Sequence, residues 1–166
     1  MIKIVSEADA FDSGLIDLED VKLYLRVVDT AEDELIKSLV RAAIKKAEAI
    51  TNRAITQKEL IYYLDNALEF ELPYPPFIEL VSINVENYEL DTRGELAKIT
   101  LQEAQDIEVQ YKAGYSVLPE DLKIWIYSTT ATLYENRETI SDVEFYNVPT
   151  RFIDSLLDRY KVRWFG

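Results

Sequence analysis

Carboxylates are the side chains whose number and grouping first suggest chemistry: the 166-residue chain has 31 Asp plus Glu against 18 Lys plus Arg. A pair of acids can share the acid and base roles of glycoside hydrolysis. Asp17, Glu19 and Asp20, or Asp29, Glu32, Asp33 and Glu34, offer hard oxygen ligands of the kind divalent cations prefer. Both clusters, however, lie where a helix start would place acids for capping and dipole reasons alone, and neither has the calcium-loop spacing with a central glycine. With so many acids, close pairs are unavoidable. The chain has no Cys and no His, which removes thiolate nucleophiles, disulfides and the commonest general base and metal ligand together. Its four glycines, Gly14, Gly94, Gly114 and Gly166, are too scattered to cradle a phosphate. The expectation is a protein that is not an enzyme and carries no metal and no cofactor.

The remaining residues of note are aromatic. Eleven Tyr could stack on bases, but stacking platforms accompany a basic groove, so core and interface roles fit them better. Trp164 and Phe165 stand beside Arg159, Lys161 and Arg163 at the end of the sequence. They either tuck against their own domain or form a docking tail, since aromatic and Arg side chains dominate binding hot spots.

Length and composition require a folded scaffold around these groups. Apolar residues make up 48%, no run reaches the ~18 apolar residues of a membrane span, and the first residues are acidic, unlike a secretory signal. A soluble, intracellular protein is expected. Asp17 caps a short helix, about 17–26. Thr30 and the acids after it open a longer one, about 31–51, with Leu35, Ile36, Leu39, Val40, Ala43, Ile44, Ala47 and Ile50 repeating at helical period. From about 56 to 112 the chain is rich in Ile, Val, Tyr and Phe, with turn signals at Asp65-Asn66, Pro73-Tyr74-Pro75-Pro76 and Asp91-Thr92-Arg93-Gly94; this reads as antiparallel β structure. Pro119 opens a helix over about 119–138 with two apolar stripes, one through Leu122, Trp125 and Ile126, the other through Ile124, Tyr127 and Ala131. A last helix covers about 150–160, followed by a tail, 161–166. The predicted class is α+β and mainly helical: a small bundle of about four helices with an inserted antiparallel β region, forming one domain over 1–166.

Charge is unevenly distributed. Residues 1–35 carry 3 basic and 10 acidic side chains, 36–58 carry 6 and 1, and 59–110 carry 2 and 12. No dominant basic surface of the kind that grips nucleic acid is present. Instead Lys37, Arg41 and Lys45 form a stripe at four-residue spacing, which suits an acidic partner, including another copy of the same chain.

The order of motifs resembles the head-to-tail connector (adaptor) proteins of tailed double-stranded DNA phages and prophages. The similarity runs from Leu18-Glu19-Asp20-Val21-Lys22-Leu23-Tyr24-Leu25-Arg26-Val27, through the acidic loop Asp29 to Glu34 and the helix closing at Ile50-Thr51-Asn52-Arg53. It continues with Leu72-Pro73-Tyr74-Pro75-Pro76-Phe77, Val109-Gln110-Tyr111-Lys112-Ala113-Gly114-Tyr115 and Leu118-Pro119-Glu120-Asp121-Leu122-Lys123, and it ends at Leu133-Tyr134-Glu135-Asn136-Arg137-Glu138. Asn52 stands where that family often has Gly. Residues 1–14 and those after Glu138 match no motif.

The resemblance implies a structural virion protein of the neck, made in the host cytoplasm. It would form a ring, dodecameric in the virion, between the portal protein and the next neck or tail-completion protein. Double-stranded DNA would pass through without specific binding, and no membrane is involved. Within that picture Lys37, Arg41, Lys45, Ile124 and Tyr127 are candidates for the contact between subunits, and Arg159, Lys161, Arg163, Trp164 and Phe165 for portal docking. The rival reading is an acidic DNA-mimic or regulatory binding protein of phage origin; a carboxylate- or metal-dependent hydrolase comes third.

Overall fold

A computed structural model describes residues 1–136 and 151–162, and the backbone falls into two compact units, each built from separated stretches of sequence. The sheet unit comprises residues 1–9 and 52–116 with the chain from Val162; the helical unit comprises residues 10–51 and 117–161.

The sheet unit holds five antiparallel strands: β1 (Ile2–Glu7), β2 (Lys58–Glu71), β3 (Phe77–Ile83), β4 (Tyr88–Asp91) and β5 (Lys98–Ala113). The order is β1-β2-β5-β3, with β4 also paired to β5. The long β5 serves two sets of neighbours, Lys98–Leu101 pairing with β4 and Val109–Ala113 with β3, while β2 runs along both halves. Leu60, Ile99, Ile107, Val109 and Tyr111, with Leu72 just after β2, form the buried core of the sheet, and toward the end of β5 they alternate with outward residues such as Glu108. β3 departs from strict alternation. Phe77, Leu80 and Ile83 turn inward with two residues between each, because the register shifts twice against β5.

The sheet overturns the expected fold class. Of the described residues, 34% are helical and 32% are strand, so the chain is not a mainly helical bundle with a β insertion. Two physical features produce the difference. Asp65-Asn66, which has the composition of a turn, lies inside β2: Asn66 adopts φ 51°, its amide donates to the Asp106 carboxylate at 2.9 Å, and the irregularity is absorbed as a register shift within the strand. Residues 2–7, which carry no motif, add a further strand by pairing Ile2 with Tyr62 and Ile4 with Leu60.

One corner of this unit explains several of the sequence motifs. Gly114 has φ +127°, and a Cβ there would lie 2.5 Å from the Thr56 carbonyl oxygen, so no other residue fits without moving backbone. Its amide donates to the Pro76 carbonyl at 2.9 Å, the Ala54 amide to Pro75 at 3.1 Å, and the buried Tyr111 hydroxyl to Pro73 at 2.7 Å. The Pro-rich turn, the segment after Arg53 and the end of β5 are thus tied together. Asn52 adopts φ 56°, the left-handed conformation for which Gly or Asn is suited. Its side-chain amide donates to the Val162 carbonyl at 3.1 Å.

The helical unit contains α1 (Leu18–Leu25), α2 (Asp33–Thr51), α3 (Glu120–Glu135), the short α4 (Arg151–Ser155) and a 3₁₀ turn over Asp158–Tyr160. Asp17 caps α1 by accepting from the Glu19 amide at 2.8 Å, and Arg26, at φ 60°, closes it. α2 buries Ile36, Val40, Ala43, Ile44 and Ala47 on one face, and α3 buries Leu122, Trp125, Ile126 and Tyr127. Each of the larger side chains among these, such as Ile36, Val40, Ile44, Leu122 and Ile126, contributes about 1.5–3 kcal/mol when removed from water, before entropy is subtracted. α1 joins the pair through Val21 and through Lys22, a buried lysine whose ammonium sits 2.9 Å from the Asp33 carboxylate at the start of α2. That hydrogen bond holds the Lys22 pKa above its ordinary value.

Candidate functional site

The functional candidates are surfaces. Among the described residues no cluster of acids is gathered as a metal ion requires, and no described helix is long and apolar enough to cross a membrane. A recess of about 310 Å³ beside β1, lined by Glu7, Lys58, Glu59 and Lys112, is internally balanced, with Lys58 3.0 Å from Glu7 and Lys112 2.7 Å from Glu79.

The basic stripe occupies the outer side of α2 because the buried face takes positions 36, 40, 43, 44 and 47. Its three members are in different circumstances. Lys37 is half-buried and donates to Glu34 on its own helix at 2.8 Å, which raises its pKa. Arg41 is exposed with its guanidinium 5.7 Å from the centre of the Phe11 ring, a cation-π contact. Lys45 is exposed and reaches Glu48 at 3.5 Å. Arg41, Lys45 and Lys46 are the exposed cations of this face.

The second apolar stripe of α3 divides in two. Ile124 is half exposed, whereas Tyr127 is buried, its ring meeting Tyr24 of α1 edge-on with centroids 5.7 Å apart. Burial pushes the Tyr127 hydroxyl pKa up, and the Lys123 ammonium lies 5.5 Å above the ring. Lys123 also reaches Asp20 of α1 at 3.1 Å. Tyr127 is thus the floor of the α1–α3 seam and Ile124 part of its surface. Tyr24, half exposed beside Tyr127, and its neighbour Leu23, which is exposed, were not singled out from the sequence.

Arg159 and Lys161 are engaged locally. Arg159 reaches Asp121 at 3.1 Å with its guanidinium over the Tyr160 ring, Tyr160 donates to the same Asp121 at 2.5 Å, and Lys161 pairs with Asp158 at 2.7 Å. Arg163, Trp164 and Phe165 lie outside the described residues.

The sheet unit carries the counter-charge. Glu69 and Glu79 are paired with Lys98 and Lys112, and Asp91 is held well below the usual carboxylate range by its hydrogen bonds from Arg93. Asp65, Glu71, Glu86, Glu89, Glu103 and Glu108 remain exposed. Acids spread over strands and turns in this way raise a broad negative potential without creating a coordination site.

Residues 15–105 match the family model described as phage gp6-like head-tail connector protein. No curated protein sequence matches the chain. Among solved structures, the fold is similar to a chain from the neck of an empty gene transfer agent (GTA) particle computed with C6 symmetry: TM-score 0.76, 22% identity, covering 100% of this chain and 98% of that one. It is also similar to a chain in the virion of a native gene transfer agent particle, with TM-score 0.76 and 20% identity, and to one in the neck of the native particle computed with C12 symmetry, with TM-score 0.72 and 19% identity. Both cover 100% of this chain and 98% of the other.

Proposed function

Because that family model spans more than half of its length, the chain belongs to the phage gp6-like head-tail connector family, and from this premise we propose that copies of it form a ring that continues the DNA channel between portal and tail. The protein is a structural component of the virion neck, at the junction of head and tail. The observation that carries the ring is the two-sided surface of the helical unit, whose outward basic face on α2 and apolar α1–α3 seam differ from each other, as a head-to-tail cyclic contact requires. The neck particles with related chains, solved with C6 and C12 symmetry, support the same reading.

Lys37, Arg41, Lys45, Ile124 and Tyr127 act at the subunit contact, Arg41 and Lys45 by charge, Ile124 by exposed apolar area, and Tyr127 by holding the seam in shape. The segment from Arg159 through Lys161, Arg163, Trp164 and Phe165 docks on the portal. The role involves no catalysis. Exposed carboxylates on the sheet unit keep phosphates from binding, so that DNA slides past and is not gripped; the charge that suggested a DNA mimic is accounted for by that task. The test is to mix the purified protein with its portal and image the product by electron microscopy. A ring stacked on the portal is expected, and absence of both ring and portal binding at high protein concentration would overturn the reading.

A further inference from the structure

We propose that Tyr74 is a second contact with the portal, presented on the corner of the sheet unit from which the segment after Val162 departs. This inference rests on the reading above in which Arg163, Trp164 and Phe165 dock on the portal, and it adds a residue and a surface to that reading. Tyr74 adopts φ 57°, a left-handed backbone that Gly or Asn takes at little cost and a bulky aromatic residue rarely takes. Among the described residues the other non-glycine cases have local reasons: Asn52 and Asn66 are of the type that tolerates it, and Arg26 closes α1. Tyr74 is held in it from both sides, since the Pro73 carbonyl accepts from the buried Tyr111 hydroxyl at 2.7 Å and the Pro75 carbonyl from the Ala54 amide at 3.1 Å. The residue is nevertheless 38% exposed, and among the described residues its hydroxyl has no hydrogen-bond partner. A tyrosine fixed between prolines loses little freedom when it is covered, which is what a binding anchor needs.

The path of the chain names the occupant. The Val162 carbonyl accepts from the Asn52 side chain at 3.1 Å, and two residues after Asn52 the Ala54 amide holds Pro75, the neighbour of Tyr74. Val162, Asn52, Ala54 and Tyr74 all belong to the sheet unit. Val162 is buried, and Arg163, Trp164 and Phe165 come directly after it in the sequence. Three residues reach at most ~11 Å from such an anchor, so the surface they grip lies against this corner. A partner surface of ordinary size covers about 800 Å², roughly 30 Å across. The way from Val162 to Tyr74, two hydrogen bonds and the short stretch 52–54, is no longer than that. One portal surface therefore spans both contacts, and both offer it aromatic rings, the side chains that dominate binding hot spots.

The conformation of Tyr74 lets binding be separated from folding. Asn accepts the left-handed backbone, so Tyr74→Asn in the full chain is expected to leave the thermal midpoint unchanged or raised, while affinity for the purified portal, read by biolayer interferometry, falls about tenfold or more. Tyr74→Phe keeps the ring and is expected to recover most of that loss. A clear fall in the thermal midpoint of Tyr74→Asn would show that the ring serves the packing of its own unit, and would overturn the proposal. If Trp164→Ala with Phe165→Ala binds the portal weakly while Tyr74→Asn binds it as tightly as the unmodified chain, this inference falls and the tail reading stands. If that double variant binds as tightly as the unmodified chain, the tail reading falls and this inference with it. Unchanged portal affinity of Tyr74→Asn, with ring formation or attachment of the next neck component lost instead, would assign Tyr74 to that other partner and overturn the portal contact.

Discussion

The two units hold their shapes by different physical means. In the sheet unit the decisive groups are backbone: a glycine against the Thr56 carbonyl, amides donating to successive prolines, and a tyrosine hydroxyl anchoring the Pro-rich turn. In the helical unit they are side chains in bulk, with Trp125, Ile126, Val40 and Ile44 excluded from water and one buried lysine paired with Asp33. A scaffold held by backbone fit tolerates change on its strand surfaces, where the acids lie, but none at its knot. One held by burial tolerates change within its core provided volume is kept, and it leaves its outer helix faces free for partners.

The largest effect should come from the knot. Gly114→Ala forces a Cβ into the Thr56 carbonyl at a φ that L-residues avoid, and a loss of roughly 3 kcal/mol or more is expected, read as a collapse of the thermal midpoint with loss of strand signal in circular dichroism. Trp125→Ala probes the other unit. A fully buried indole leaves a cavity costing about 3–5 kcal/mol, and Trp125→Phe should recover much of it, whereas no substitution should rescue position 114. If Gly114→Ala proved milder than Trp125→Phe, the contrast between backbone fit and burial would be lost.

Smaller effects sharpen the contrast. Tyr111→Phe removes the bond to the Pro73 carbonyl and should cost about 1 kcal/mol in denaturant titration. Burial raises the Tyr111 pKa, so the folded state keeps its proton where an unfolded tyrosine, at its ordinary value of 10.0, loses it. Stability from this group is complete below that value and falls as pH rises above it. Phenolate absorbance from Tyr111 should appear only together with unfolding, and its appearance in folded protein would refute the buried hydroxyl. The smallest effect on folding belongs to Arg41→Glu with Lys45→Glu. Both positions are exposed, so stability should change by no more than ~0.5 kcal/mol per site while ring formation weakens markedly in sedimentation or electron microscopy. Unchanged assembly would exclude the stripe from the contact.

What could be read from the sequence follows the same division. The helices are local: the period through Leu35, Val40, Ala43 and Ala47 and the cap at Asp17 each depend on neighbours a few residues away, and α2 occupies the stretch they mark. The balance between helix and sheet was not legible, because it depends on partners far apart. Ile2–Glu7 reads as a strand only once β2 lies beside it, and Asp65-Asn66 reads as a turn until Asp106 is seen to hold it inside a strand. Similarly, Leu23 and Tyr127 are both simply apolar in the sequence; the packing of α1 on α3 leaves one exposed and buries the other.

The interleaving of the two units also governs how the chain can be made. β1 leaves the ribosome some 60 residues before its partner Tyr62 on β2 is available to pair with Ile2, while α2 emerges long before α3. For the intervening seconds of synthesis the apolar face of α2 has no α3 to cover it. The five strands of the sheet unit have all been made once Ala113 has emerged, whereas the helical unit still awaits α3. The helical unit is the later of the two to be completed, and the acidic character of the chain is then an asset of a different kind, since like-charged chains growing side by side on one message repel each other until their apolar faces are covered.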